Sequence, residues 1–202
     1  MLFRSSSKAD VVIDAASTGN IQATIQAMSV GVSLTPGIGS MSGVGASLGI
    51  GVARNLIGTE GFGISAANGA AVIRAVLESS SLDASGALKI DARSTQSISS
   101  TVSVVSVAVA GALGTGLAGS GSGSGSENAI GTRIESGILG GNTIRTISAQ
   151  RIEVGGSDAS TITADSYAGS VSAALGMQSA GALSIGASVA LNRIAGGIDA
   201  SI

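Results

Sequence analysis

The motif that most resembles a chemical site is residues 114–119, whose sequence GTGLAG matches G-x-G-x-x-G and follows an apolar segment. In dinucleotide-binding proteins the last glycine of such a motif opens a helix, whose free N–H groups and dipole hold a pyrophosphate. Here a Ser-Gly run at 120–126 follows instead, and that composition disfavours a helix. With 32 glycines in the chain a chance match is expected, and we predict no cofactor.

The acidic residues are the second possible source of chemistry, because polysaccharide-cleaving β-helices cluster Asp with Arg or Lys on one face. Asp14 and Asp91 occupy equivalent positions of an internal repeat, but the third copy has Gly155 there. A solvated strand position recurs once per repeat, whereas a catalytic residue has no reason to recur. Asp158 ends a Gly-Gly-Ser-Asp segment that occurs once and lacks the spacing of calcium-binding nonapeptides.

Composition points away from catalysis and from nucleic acid. The chain has no histidine and no cysteine, which removes the commonest catalytic base and most structural zinc sites. Its net charge is −2 and its ten basic residues do not cluster, so it lacks a nucleic-acid footprint. We predict a protein that is not an enzyme and has no catalytic or metal site, with a polysaccharide-binding or polysaccharide-cleaving β-helix as the alternative.

Three copies of one long repeat account for most of the chain. They start at Ile13, Ile90 and Val154, so the period is 77 residues and then 64. The first copy has four extra residues near Pro36 and about nine more around 61–69, which indicates loop insertions. A signature of Asn, any residue, Ile and then Gly or Ala ends each copy's Gly-rich part, and we predict a structural role for it. Its residues are Asn55, Ile57, Asn128, Ile130, Asn192 and Ile194.

The repeats predict a single domain over residues 10–202, divided at about 13–89, 90–153 and 154–202. Residues 1–9 form a separate N-terminal segment, which we expect to cap one end with Leu2 and Phe3 as its apolar plug. The sequence ends in a pattern typical of a strand interior, so we interpret the chain as a segment of a longer protein.

The local period of the sequence is two, as in Leu88-x-Ile90 and Val102-x-Val104, which is typical of strands. Charged residues make up only 11%, against roughly 25% in ordinary domains, and small or β-branched residues dominate. We predict an all-β, right-handed parallel β-solenoid. The alternatives are a flat β-sandwich or meander, and locally a helix over 173–194.

Coils of roughly 20 residues are typical of such repeats, so each repeat is expected to make about three coils. The whole chain then forms a rod on the order of 50 Å long. In that arrangement the signature asparagines lie at corners about three rungs apart and form no continuous ladder.

Three long stretches carry no charge, namely residues 15–53, 94–126 and 166–192. The first interpretation is a narrow solenoid edge, where Gly and Ser pack tightly. The second is a surface that meets another copy, because an unpaired charge there would be costly to bury. The third is membrane contact, which we do not favour because the stretches alternate with Ser and lack interfacial Trp.

The repeat resembles those of giant haemagglutinin-like and adhesin-like exoproteins of bacteria. The resemblance rests on Ser106-Val107-Ala108-Val109-Ala110-Gly111, on Glu127-Asn128-Ala129-Ile130-Gly131 and on Ala53-Arg54-Asn55-Leu56-Ile57-Gly58. It implies export to the cell surface or the extracellular space, a β-solenoid fold, and a structural or adhesive role in a fibre. We therefore expect self-association into a filament or oligomer, and a surface glycan or host-cell ligand as a further partner.

Overall fold

The computed structural model describes residues 4–35, 42–59, 70–140 and 147–202, and in these ranges the chain forms strands and turns without any helix. The predicted all-β fold is confirmed, including at 173–194, which lies in strands. In chain order the strands are β1 (Arg4–Ser7), β2 (Val11–Thr35), β3 (Gly43–Ile57), β4 (Ala71–Glu78), β5 (Ser81–Ala84), β6 (Ala87–Ala112), β7 (Thr115–Leu139), β8 (Ile147–Ser148), β9 (Arg151–Asp158), β10 (Thr161–Gly176) and β11 (Ser179–Ser201).

Several strands are unusually long. β2 and β7 have 25 residues each and β6 has 26, which corresponds to about 80 Å of extended chain. They continue through the Gly-rich parts because those glycines do not turn the backbone: among the described glycines only Gly58 has a positive φ. The Ser-Gly run at 120–126 therefore lies inside β7, with its serines buried between the sheets and its glycines on the outer face.

The strands form three parallel sheets. The outgoing sheet has the order β2–β6–β10, with β9 also beside β6, and the returning sheet has the order β3–β7–β11, with β4 also beside β7. A small third sheet contains β1, β5 and β8. In the second repeat the chain runs along β6, turns at Leu113–Gly114, and comes back along β7 before it reaches β8. Each repeat thus supplies a strand to both long sheets.

The strand register shows that one repeat makes one rung, not the three coils that we expected. Ile13 pairs with Ile90, and Ile90 pairs with Val154, so equivalent positions of successive repeats lie side by side. Three rungs at about 4.8 Å extend only about 14 Å along the stacking direction, rather than the 50 Å of the expected rod. The expectation failed because it assumed a corner about every 20 residues, and the long strands contain none.

The two long sheets pack face to face, and the space between them narrows toward the turn. Far from the turn, Leu88, Ile90 and Ile134 are completely buried in the largest apolar cluster. Near the turn the buried cluster consists of alanines, with Ala108 and Ala118 among them. The core is therefore thick at one end and thin at the other.

Glycine makes the close approach near the turn possible. A Cβ added to Gly45 would lie 2.4 Å from the carbonyl oxygen of Val109, on the opposite sheet. A Cβ added to Gly31 would lie 2.1 Å from the carbonyl oxygen of Ala46. Real Cβ atoms do not approach a backbone so closely, so side chains at these inward positions would force the sheets apart.

The predicted insertions and cap involve residues outside the described ranges: Leu2, Phe3, Pro36 and 61–69. The register nevertheless locates the first insertion. Thr35 pairs with Ala112 and Gly43 pairs with Gly116, so the offset of 77 falls to 73 between β2 and β3. This shift equals the four extra residues predicted there.

No helix in the described part of the chain has the length and hydropathy needed to cross a membrane.

Side chains buried at the thick end of the core are expected to contribute most to the free energy of unfolding. Ile90→Ala removes a completely buried side chain, and we expect it to lower the free energy of unfolding by about 2–5 kcal/mol. Ile185→Ala is the matched control, because Ile185 is 60% exposed, and it should cost less than about 0.5 kcal/mol. Denaturant unfolding followed by circular dichroism measures both, and equal costs would contradict the described core.

Candidate functional site

The three signature asparagines form a ladder between the long sheets. Asn55, Asn128 and Asn192 pair in register on β3, β7 and β11. The Asn55 Nδ2 donates to the Asn128 Oδ1 at 2.7 Å, and the Asn128 Nδ2 donates to the Asn192 Oδ1 at 2.8 Å. The prediction that these residues lie three rungs apart without a ladder is wrong, because successive repeats are adjacent rungs.

The signature isoleucines follow the asparagines on the same inward face. Ile57, Ile130 and Ile194 also pair in register, and Ile130 is buried to 1% exposure. Ile194 lies on the edge strand β11 and is 49% exposed. The signature thus lies within strands of the returning sheet rather than at corners, and it combines an amide ladder with an apolar one.

Serine hydroxyls link the two long sheets across the interior. The Ser47 Oγ lies 2.7 Å from the Ser106 Oγ, and the Ser120 Oγ lies 2.6 Å from the Ser170 Oγ. Each bond joins the returning strand of one repeat to the outgoing strand of the next. Sequence analysis missed these pairs, although Ser106 and Ser170 recur at equivalent repeat positions and could have signalled them.

Most of the described charged residues lie on the outer faces in the half of the strands far from the turn. Arg93 binds Asp14 at 2.7 Å on the neighbouring rung and Asp91 at 3.2 Å on its own strand. Arginine thereby neutralises two carboxylates that stack because their positions are equivalent. Asp14 and Asp91 are therefore surface strand residues held in an ion-pair network.

A second ion-pair network surrounds Glu135 on the returning sheet. Its Oε2 lies 3.0 Å from the Arg74 Nε, and its Oε1 lies 2.8 Å from the Arg133 Nε. These residues, with Asp199 and Ser201, line an open depression of about 250 Å³. Because a guanidinium engages each oxygen of Glu135, this carboxylate is poorly placed to accept a substrate proton.

The other motifs also lie in strands. Residues 115–119 of the G-x-G-x-x-G match begin β7, and strand rather than helix follows them. Asp158 ends β9, where its Oδ1 accepts a hydrogen bond from the Ser160 N at 3.0 Å and its Oδ2 accepts one from the Thr132 hydroxyl. In the described ranges no group of three or more acidic, histidine or cysteine residues is arranged to hold a metal ion.

The charge-free stretches form the half of the molecule next to the turn. There the outward side chains are apolar, as at Val30, Leu48 and Leu183, which are all exposed. The inward side chains include the serines of β7, such as Ser122 and Ser126, which are buried. Close to the turn this half therefore reverses the usual arrangement, with hydroxyls between the sheets and large apolar groups on both outer faces, while farther from the turn an apolar cluster still fills its interior.

No protein-family model, no curated protein and no solved structure matches this chain.

We expect the middle residue of the asparagine ladder to contribute more to the free energy of unfolding than the residue at its end. Asn128→Ala removes two hydrogen bonds at a position with 0% exposure, and we expect it to cost about 1–3 kcal/mol of unfolding free energy. Asn192→Ala is the matched control, since it removes one bond at an exposed strand and should cost under about 1 kcal/mol. Denaturant unfolding measures both, and a cost at Asn128 no larger than at Asn192 would contradict a stabilising ladder.

Proposed function

We propose that this chain is a structural segment of a bacterial extracellular or cell-surface fibre, in which repeats of a parallel β-solenoid stack into a filament. The observation that carries the proposal is the register: every repeat lies on the equivalent residues of the next. A unit that pairs with its own copies in this way can be extended by further copies without any change in its contacts.

The outer strands of the stack support extension at both ends. β2 and β3 lie at one edge of the long sheets, and β10 and β11 lie at the other. Inward residues at the second edge are exposed where their equivalents are covered: Ile194 is 49% exposed, whereas Ile130 is 1% exposed. A further rung would bury Ile194. Its own asparagine would form a hydrogen bond with Asn192, so the ladder would continue.

We further propose that these edges join head to tail, so that β10 and β11 of one copy pair with β2 and β3 of the next. Such a contact uses two different surfaces and does not close, so it produces a filament rather than a ring. We assign the solenoid a right-handed winding, because connections between parallel strands of one sheet are right-handed in almost all proteins.

The surface location and the adhesive role rest on the resemblance to haemagglutinin-like and adhesin-like exoproteins. A surface glycan or host-cell ligand stays a proposed partner on the same basis. The polysaccharide-cleaving alternative has less support, because Glu135, Asp14 and Asp91 are bound by arginines rather than available for proton transfer.

A lysine placed inward at the edge tests head-to-tail stacking. Ala190 is exposed on β11 but aligns with Ser126 and Ala53, which are buried between the sheets. Ala190→Lys is therefore tolerated in a single copy, but stacking would bury its unpaired ammonium at high cost. We expect the variant to lower end-to-end association by at least about tenfold, since each 1.4 kcal/mol changes an equilibrium tenfold.

Ala187→Lys is the matched control, because Ala187 lies three residues away on the same strand and aligns with Gly123 and Ile50 on the outer face. Its lysine stays in solvent when edges pair. Filament length by electron microscopy measures both variants, because length reports edge stacking whether or not filaments also join side by side. Filaments of normal length from Ala190→Lys, or a strictly monomeric wild type at high concentration, would refute the proposal.

A further inference from the structure

We propose that the two outer faces near the turn dock onto each other between copies, with a row of valines on the outgoing sheet of one copy filling a groove of glycines on the returning sheet of another. The inference deepens the structural role proposed above, but it uses the faces of the sheets and not their edges. It would join filaments side by side.

The glycine groove runs along the outer face of β7. Its floor is made by alternate residues of the middle strand, which are Gly119, Gly121, Gly123 and Gly125. Its walls are exposed apolar residues of the two neighbouring strands, which are Leu48, Ile50 and Val52 on β3 and Leu183, Ile185 and Val189 on β11. At the turn end the groove opens into an apolar depression of about 470 Å³.

Three of these four glycines have no requirement within the chain, and at Gly121 an added Cβ would meet only the end of the Leu48 side chain, at 3.1 Å. A Cβ added to Gly119, Gly123 or Gly125 would meet no atom within 4 Å, and none of them has a positive φ. The inward glycines differ, because their added Cβ atoms would strike the opposite sheet. Glycine weakens a strand interior, so a row of glycines without an internal cause indicates that another backbone or side chain approaches from outside.

The valine row lies at the same distance from the turn on the opposite outer face. Val105, Val107 and Val109 point outward from the middle strand β6 and precede the turn, whereas the glycines follow it. Gly111 completes the row next to the turn. The outgoing and returning sheets therefore carry large and small residues at complementary positions of their middle strands.

One register matches the middle strands of the two faces. If a second copy is displaced perpendicular to the sheets, Val109, Val107 and Val105 can face Gly119, Gly121 and Gly123. In the same register Gly111 faces Leu117, so a large side chain meets a glycine at four successive positions. The third repeat follows the same rule where Leu175 faces Gly181 and Ala173 faces Leu183. Elsewhere on the flanking strands large residues meet, as at Val171 with Ile185, Val30 with Leu48 and Met28 with Ile50.

Charge and area both favour a second copy as the occupant. The strand segments that carry the two rows contain no ionisable group with a formal charge, so docking desolvates none. Three strands about 4.8 Å apart and about 30 Å long give roughly 420 Å² per partner. Both partners together bury about 840 Å², just below the ~1,000 Å² of specific interfaces, and every added repeat enlarges the contact.

A lipid surface explains the groove less well. Insertion into lipid gains from every large apolar side chain, so alternate glycines in the middle strand would only weaken it. A complementary protein face, in contrast, requires small residues wherever its own large residues project. A second copy of this chain is therefore the occupant that the groove fits, and lipid binding is the competing result in the experiment below.

The test fills the groove with a larger apolar side chain. Gly123→Leu, made in the full chain with Ala190→Lys to suppress edge stacking, should leave the thermal midpoint unchanged or raise it, because its Cβ has open space. It should lower side-by-side association at least about tenfold, since overpacking a filled contact costs more than the leucine gains. Thr95→Leu is the control, because it adds a leucine to the outer face beyond both rows and should leave association unchanged.

Sedimentation and small-angle scattering measure the mass and the thickness of the assembly. If the copies associated through non-specific hydrophobic contact, Gly123→Leu would increase side-by-side association, because it adds apolar surface. Increased association of Gly123→Leu, or recovery of the wild-type chain on phosphatidylcholine–phosphatidylglycerol vesicles as monomers, would overturn the proposal. A lysine in the groove at Ala187 gives a second variant, which should also lower side-by-side association.

Cross-linking separates this proposal from edge stacking. The chain has no cysteine, so Gly169→Cys and Ala187→Cys can be made in separate chains, where they mark the outgoing and the returning face of the third repeat. A thiol cross-linker of about 10 Å matches the spacing of packed sheets and should join the two kinds of chain to each other. Cross-links only within one kind would reject the arrangement, whether or not the edges stack.

Discussion

Each side chain in the long sheets has the equivalent residue of the next repeat about 4.8 Å away, because successive repeats pair in register. This in-register stacking limits which residues the sequence can contain. Amide side chains suit it, since a middle residue such as Asn128 donates to one neighbour and accepts from the other. Like charges do not suit it, and Asp14 and Asp91 tolerate their alignment because Arg93 bridges them.

The same stacking explains where the charges and the volume lie. Some ion pairs join opposite charges on neighbouring rungs, as Arg54 does with Glu127 at 3.0 Å, and these pairs lie on outer faces far from the turn. At the last few inward positions before the turn the sheets approach so closely that Gly, Ala and Ser fill most of the space between them, whereas Val102 and Val104 are buried farther back. Large apolar residues next to the turn therefore point outward, and this displacement produces the two faces that we propose to dock.

Sequence patterns predicted the strands well, because alternation at Leu88 and Ile90 or at Val102 and Val104 reports burial directly. Repeat spacing also located the insertion between β2 and β3. The number of coils per repeat could not be obtained in this way, since Gly and Ser are common both in turns and in closely packed strands. For that reason the sequence did not predict the ladder of Asn55, Asn128 and Asn192, although the repeat signature contains all three residues.

Repeat length and rung height are independent in this architecture. The offset between the first two copies changes from 77 at Thr35 to 73 at Gly43 and to 61 at Ala71, yet all three residues pair in their sheets. Additional chain between strands therefore does not alter the rise of the stack, and loops generally tolerate such changes. A gene for this protein can lengthen its loops or change its number of repeats by in-frame duplication while the rise from one rung to the next stays constant.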